Sequence, residues 1–105
     1  MAPSPDKTPK FDHRLVKVLE HPVRSGFLRL LAERSQLRSA EAVDHLPGEN
    51  LLLSMVTYHV RVLHRFGLVE AMRQSDPERG PPFRTTPTGE LALTALGYTP
   101  RGGEA

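Results

Sequence analysis

The chain of 105 residues contains no cysteine, which excludes disulfide bonds and thiolate metal ligands. No run of about 18 apolar residues occurs, so we expect no transmembrane helix and no membrane partner. The N-terminus lacks the long apolar stretch of a secretory signal, and we therefore expect a cytoplasmic protein. A nucleophile elbow, a phosphate-binding glycine loop and a paired-carboxylate spacing are also missing, so we expect no enzymatic activity and no cofactor.

The composition is that of one ordinary domain. Apolar residues make up 38% of the chain and charged residues 25%, which is typical of a soluble globular domain with a modest core. Eleven arginines and three lysines carry the positive charge. Arginine is the better residue for bidentate contacts with phosphate and guanine. A GC-rich genome also favours arginine codons, so the excess of arginine leaves both nucleic-acid binding and codon usage open as explanations.

The chain divides into a proline-rich arm over residues 1–10, which we expect to be flexible, a domain over residues 11–98 and a frayed tail over residues 99–105. Apolar spacing predicts helices in the domain, and alternating segments around turn residues predict a β-hairpin. The expected fold is mainly α with a small β-hairpin, in the order α-α-α-α-β-β-α of a winged helix-turn-helix. The expected bounds are 11–20, 22–34, 40–46, 52–66 and 87–97 for the helices, and 68–73 and 83–85 for the strands.

Several expected helix ends depend on single residues. Pro22 separates the first two helices, because proline disfavours helix in the residue before it and suits the first turn of the next helix. Ser39 is expected to cap the third helix, and Thr86 the last one, with Pro87 at its first position. Gly67 is expected to end the fourth helix as a left-handed C-cap.

The helix expected at residues 52–66 has two different sides. Val56, Val60 and Leu63 recur at helical spacing and are expected in the core. The opposite side carries hydroxyl, phenol and guanidinium groups without any carboxylate; its residues are Ser54, Thr57, Tyr58, Arg61 and Arg65. Groups of this kind read base edges and hold phosphates in the major groove of DNA. A solvated surface face is the alternative, although such a face usually also carries acidic partners for its arginines.

The hairpin carries further candidates for contact with DNA. Arg73 and Arg79 are expected to lie along the phosphate backbone, where arginine contributes salt-dependent affinity. The neighbouring Asp76 and Glu78 leave open a second interpretation, in which the charges only keep the edge of a sheet soluble.

Four segments in this order make the chain resemble the ArsR-type winged-helix regulators. They are HPVR at 21–24, TYHVRVL at 57–63, GLVE at 67–70 and FRTTPTG at 83–89. The resemblance covers about residues 11–97. It implies a sequence-specific transcriptional regulator, expected to be a repressor, that binds double-stranded DNA as a homodimer. Residues 54–66 would read the major groove, residues 73–84 would contact the backbone, and helices 11–20 and 87–97 would form the dimer.

The chain departs from this family at the positions of its metal sites. Metal-sensing members carry a Cys-x-Cys pair where this chain has Ala42-Val43-Asp44, and the last helix, residues 87–97, contains no histidine or aspartate. We therefore expect no bound metal. His59 occupies a position at which the family has a histidine, and the resemblance implies that it packs and hydrogen-bonds inside the protein. The turn at residues 47–53 is longer than the family's turn, which leaves the start of the fourth helix open.

Apolar surface supports the homodimer but also a different function. The last helix is apolar around most of its circumference, and a peripheral helix of this kind usually needs a second partner surface. The alternative is a winged-helix protein–protein interaction module without specific DNA binding, because a fold does not fix a function. In that case the leucine run at residues 51–53 and the last helix would be partner surfaces.

Overall fold

The computed structural model describes residues 13–73 and 80–98. Within these ranges the protein is mainly helical with one small antiparallel sheet, and the elements follow the predicted order. The predicted arm, the tail and most of the hairpin turn lie outside the described residues. The elements are α1 (His13–Leu19), α2 (Pro22–Glu33), α3 (Ser39–Ala42), a 3₁₀ turn (Val43–His45), α4 (Leu53–Arg65), β1 (Val69–Ala71), β2 (Phe83–Thr85) and α5 (Pro87–Ala95).

Helix α2 begins at Pro22, as predicted, and its cap is a histidine. His21 has extended backbone geometry, and its Nδ1 accepts a hydrogen bond from the Val23 N–H at 3.2 Å. This bond satisfies one of the amide groups that the first turn of a helix leaves without a partner. Apolar spacing predicts Val23, Phe27, Leu30 and Leu31 on the inward side of this helix. Three of them are buried, but Leu30 is only half-buried, and Leu28, which the spacing did not predict, is completely buried.

The third helix differs from the prediction. A single helix at 40–46 capped by Ser39 was expected, but α3 has only four residues and a 3₁₀ turn follows it. Arg38 is the N-cap instead, and its backbone N–H donates to the Glu41 carboxylate at 2.9 Å. Glu41 makes this contact from the third helical position, as in a capping box. The helix therefore begins at Ser39, one residue before the predicted start at residue 40.

The turn between the 3₁₀ turn and α4 is long, and α4 begins at Leu53, one residue later than predicted. Asn50 adopts a positive φ of 57° within this turn. At the other end of α4, Gly67 has a φ of 77°, and the Leu68 N–H donates to the Leu63 carbonyl at 2.9 Å. This left-handed ending confirms the predicted C-cap and turns the chain directly into β1.

The sheet is fixed to the connection between α2 and α3. β1 pairs antiparallel with β2, and β1 is shorter than the predicted strand 68–73. On the other edge of β2, Leu37 forms an isolated bridge with Phe83, with two backbone hydrogen bonds of 2.9 and 3.0 Å. The sequence pattern did not predict this bridge. It holds the base of the hairpin beside the start of α3.

The core lies between α2, α4, α5 and the sheet. The large side chains that are fully buried come from all of these elements and include Phe27, Leu37, Leu63, Leu68 and Leu93. α5 begins with the predicted cap, since the Thr86 hydroxyl accepts from the Gly89 N–H at 3.0 Å, but it ends at Ala95, two residues earlier than predicted. None of the helices that the structure describes has the length and hydrophobicity needed to cross a membrane.

Candidate nucleic-acid interface

Helix α4 is oriented by its buried side. Val56, Val60 and Leu63 are at most 1% exposed, which confirms their predicted place in the core. The residues at the opposite angular positions of the same helix must therefore face away from the core.

Four of the predicted site residues form one stripe along the outer side of α4. Ser54, Tyr58, Arg61 and Arg65 follow one another at i, i+4, i+7 and i+11, a spacing that places them on one side of a helix. All four are exposed, and Tyr58 is 60% exposed. We call these four residues the outer stripe. No aspartate or glutamate occurs between residues 50 and 69.

Within the part of the chain that the structure describes, no acid neutralises the two guanidinium groups of the outer stripe. Among the described residues, neither Arg61 nor Arg65 takes part in a hydrogen bond or ion pair. Arg84 is different, because its Nε lies 2.5 Å from a carboxylate oxygen of Glu70 across the sheet. The positive charge on the outer stripe is thus available to an external anion, whereas that of Arg84 is already paired.

Thr57, the fifth predicted residue of this helix, is set apart from the stripe. It is half-buried and lies at the edge of α4 that faces the hairpin, where it lines a cleft together with Arg61. The structure therefore brings Ser54, Tyr58, Arg61 and Arg65 together and places Thr57 on their flank.

A histidine pair supports the helix beneath Tyr58. The ring centroids of His21 and His59 are 3.9 Å apart, and the Arg24 Nε donates to the His59 Nδ1 at 3.2 Å. The Tyr58 ring meets the His59 ring edge to face at 5.0 Å. The expectation that His59 packs and hydrogen-bonds is confirmed. Its partners come from α2 and from the residue before it, which no local sequence pattern indicated.

The surroundings of His59 favour its neutral form. Burial has the largest effect, and the neighbouring His21 and Arg24 add to it; together they lower the pKa of His59 below its usual value of about 6.5. A neutral imidazole can accept the hydrogen bond from Arg24, whereas a protonated one cannot. The contact between α2 and α4 at this point therefore depends on an uncharged His59.

Of the two arginines predicted on the hairpin, the structure describes one. Arg73 is exposed two residues after the end of β1, and Arg79 lies outside the described residues. Arg38, which was not singled out from the sequence, reaches the base of the hairpin: its Nε donates to the Gly80 carbonyl at 3.1 Å. We assign Arg38 a positioning role, because this contact and the Leu37–Phe83 bridge hold the hairpin against the start of α3.

An apolar surface borders the beginning of α4. Leu52, Leu53 and Met55 are each 44–60% exposed. They lie directly before and beside Ser54, so that the outer stripe has an apolar margin at its N-terminal end.

Comparison with known proteins does not assign this chain to a family. Protein-family models, curated proteins and solved structures all lack a match to this chain. In the described ranges, no group of three or more histidine, aspartate or glutamate residues is placed to hold a metal ion. The outer stripe thus offers guanidinium, phenol and hydroxyl groups, which are the groups that proteins use to bind anions.

Proposed function

We propose that this protein is a sequence-specific, DNA-binding transcriptional regulator with a winged-helix fold of the ArsR type. The observation that carries the proposal is the outer stripe of α4: four exposed side chains able to contact bases or phosphates, two of them arginines without an acidic partner among the described residues. In the proposed complex, α4 lies in the major groove of double-stranded DNA.

The dimensions of the outer stripe fit a groove. Ser54 and Arg65 are eleven residues apart, which is about 16 Å along a helix, or about five base-pair steps of 3.4 Å. Arg61 lies near the middle of the stripe and is suited to a bidentate contact with guanine, while Arg65 at the end is suited to a phosphate. The major groove is wide enough to admit a helix.

The arrangement around α4 supports the same proposal. A short α3, a turn and a longer α4 followed by a β-hairpin is the order of a winged helix-turn-helix. In this arrangement the hairpin, with Arg73, lies along the DNA backbone as the wing. A homodimer formed through α1 and α5 would present two copies of α4 to half-sites about 10 base pairs apart, or a multiple of that distance. Occupation of a promoter in this way would make the protein a repressor.

Substitution of single arginines tests the proposal. We expect Arg61→Gln to weaken binding to the cognate duplex by about 1–3 kcal/mol, or about 5- to 150-fold, and to relax specificity at one base pair. Arg65→Gln is expected to weaken binding to all DNA sequences alike and to reduce the slope of log K against log salt concentration by about one. The duplex is first selected from the region upstream of the gene and from a random library, and affinities are measured by fluorescence anisotropy at two salt concentrations.

Arg34→Gln is the matched control. Arg34 is an exposed arginine at the end of α2, near Arg84 and Glu90 and away from α4. This variant makes the same change in net charge and is expected to bind like the parent. Equal affinities for the parent, Arg61→Gln and Arg65→Gln would show that α4 does not face DNA.

A second candidate is an interaction module for another protein. The apolar surface at Leu52, Leu53 and Met55 favours it, because exposed apolar side chains grouped together often mark protein contacts. In this case the protein would show no shifted band with any selected duplex, and its retention on heparin would not respond to salt. Leu52→Glu would then abolish binding of the protein partner. Under the DNA-binding proposal, Arg61→Gln weakens DNA binding more than Leu52→Glu does.

A further inference from the structure

A cleft of about 500 Å³ lies between α4, the start of α3 and the hairpin. Its size falls within the range of about 300 to 1,000 Å³ found for pockets that hold small molecules. Much of its lining is apolar and includes Val60, Pro81 and Phe83. The polar groups come mainly from the edge of α4, namely Thr57, Arg61 and His64. An apolar surface with a few polar groups on one side is the usual composition of a ligand site.

The charge of the cleft indicates the charge of its occupant. No carboxylate is found among the described residues that line it, and the guanidinium of Arg61 has no acidic partner in the described part of the chain. A planar guanidinium binds a carboxylate through two parallel hydrogen bonds. Thr57, half-buried beside it, offers a hydroxyl donor.

The apolar surface indicates the shape of the rest of the molecule. The rings of His64 and Phe83 stand at 66° to each other with centroids 6.0 Å apart, and Val60 is almost completely buried at the back of the cleft. Aromatic side chains favour offset or edge-to-face contact with another ring. A simple inorganic anion would leave this surface without a partner.

We propose that the cleft binds a small aromatic carboxylate, with its ring near Phe83 and Val60 and its carboxylate on Arg61. Because Arg61 also belongs to the outer stripe, a bound carboxylate occupies a side chain that DNA requires. The compound acts as an effector that releases the protein from DNA, and this consequence rests on the function proposed above. Binding of the carboxylate itself does not depend on that function.

Three probes separate the features of the proposed ligand. Phenylacetate carries both the ring and the carboxylate, 2-phenylethanol keeps the skeleton without the charge, and acetate keeps the charge without the ring. Binding is measured by calorimetry and by the shift in Tm, and DNA affinity by anisotropy, all at constant ionic strength. We expect phenylacetate alone to raise Tm and to weaken DNA binding at least tenfold at saturation.

Two variants and a control locate the site. Arg61→Gln removes the charge-assisted contact and is expected to weaken the binding of phenylacetate about tenfold or more. Ala71→Phe fills the cleft from the exposed face of β1 and is expected to abolish phenylacetate binding while leaving Arg61 free for DNA. Arg34→Gln is expected to bind phenylacetate like the parent.

The outcomes distinguish this inference from the proposed function. If the parent binds DNA but phenylacetate changes neither Tm nor DNA affinity, the ligand site is refuted and the DNA-binding function stands. If phenylacetate binds and Ala71→Phe abolishes the effect, but no duplex is bound, the site stands and the DNA-binding function fails. Equal effects of acetate or 2-phenylethanol would refute the aromatic carboxylate, and phenylacetate binding that leaves DNA affinity unchanged would refute the effector role.

Discussion

His59 joins the inner structure of the protein to its outer stripe. It accepts a hydrogen bond from Arg24 on α2 and packs against both His21 and Tyr58. His21 is occupied at the same time as the cap of α2 through its own Nδ1. A proton on His59 would remove the acceptor for Arg24 and add a positive charge beside a guanidinium. The position of Tyr58 in the outer stripe is therefore linked to the protonation of the residue next to it.

The lowered pKa of His59 predicts a specific loss of stability in acid. The unfolded chain binds a proton at this residue near pH 6.5, and the folded protein binds it only at lower pH, because burial, His21 and Arg24 lower its pKa. Its contribution to the free energy of unfolding is therefore fully present above about pH 6.5. The contribution decreases as the pH falls from there through the lower pKa of the folded state.

Comparison with His59→Gln isolates this effect from other titrating groups. We expect the parent to be more stable than His59→Gln by about 1 kcal/mol at pH 8, because glutamine lacks the ring that packs against His21 and Tyr58, and this difference to shrink below pH 6.5. Urea unfolding from pH 5 to 8 measures it. His45→Gln, at an exposed histidine, is the control for removal of an imidazole. A difference between parent and His59→Gln that stays constant over this range would contradict a neutral His59.

At the scale of the elements, the first turn of α5 packs directly on the chain that enters β1. Gly89 makes this approach possible: a Cβ at this position would lie 2.1 Å from the Leu68 carbonyl oxygen and 3.0 Å from Thr85 Cγ2. The Leu68 carbonyl also accepts the Thr86 N–H at 3.2 Å. Because Leu68 directly precedes Val69, which pairs with Thr85 in the sheet, the Leu68 carbonyl cannot move without disturbing the pairing of β1 with β2.

Gly89→Ala is expected to destabilise the protein by about 1–3 kcal/mol or more, because an added methyl group in a packed contact forces the backbone apart. Gly26→Ala in α2 is the matched control. A Cβ there meets the end of the Leu46 side chain at 3.0 Å and the ring Cδ of Pro47 at 3.2 Å, with no backbone atom from outside α2 closer than these. Alanine also gains up to about 1 kcal/mol of helix propensity. Chemical denaturation should therefore give a much smaller change for Gly26→Ala. Parent-like stability of Gly89→Ala would mean that α5 and β1 are farther apart.

The sequence predicted the elements that depend on signals within a few residues. Pro22, Gly67 and Thr86 mark helix ends through their own backbone or side-chain geometry, and the structure has helix ends at all three. The bounds of β2 were also predicted correctly. In α3 this local reasoning failed, because a serine cap competed with the Glu41 carboxylate, and the sequence pattern did not rank the two.

The contacts that shape the candidate site lie far apart in the sequence. His59 is 35 residues from Arg24, and Arg38 is 42 residues from Gly80. Helical periodicity predicted the outward position of the four residues of the outer stripe, since that depends on the helix alone, but not that Thr57 is half-buried beside the hairpin. It could not predict the histidine pair, the fixed base of the hairpin or the cleft beside Arg61, because these require the relative positions of several elements.

At the scale of the whole molecule, apolar surface remains on α1 and α5. Val16 and Leu91 are 42% and 37% exposed, and a shallow apolar groove between the two helices is lined by Val16, Leu19, Ala95 and Leu96 together with Glu20. A groove of this kind can receive apolar side chains of another chain. It lies on the helices through which we propose that the protein forms its dimer.

We expect the parent to have twice the mass of the 11.7 kDa chain in sedimentation equilibrium, and Leu91→Glu to have the mass of one chain. A buried carboxylate without a partner is costly, so the substitution should prevent association. Leu52→Glu is the control, because Leu52 is even more exposed but lies at the start of α4. A parent that sediments as a single chain at micromolar concentration would exclude the proposed dimer.

The double pairing of β2 limits how copies of this protein can aggregate. One edge of β2 is covered by β1, and on the other edge Phe83 is paired with Leu37, so the longest open edge of the described sheet is the three-residue β1. An exposed strand edge is a template on which another chain can add a strand, and three residues offer few hydrogen bonds for such growth. Continuous sheets running from copy to copy are therefore disfavoured, and crowding of the folded protein should produce side-chain contacts that dissociate on dilution.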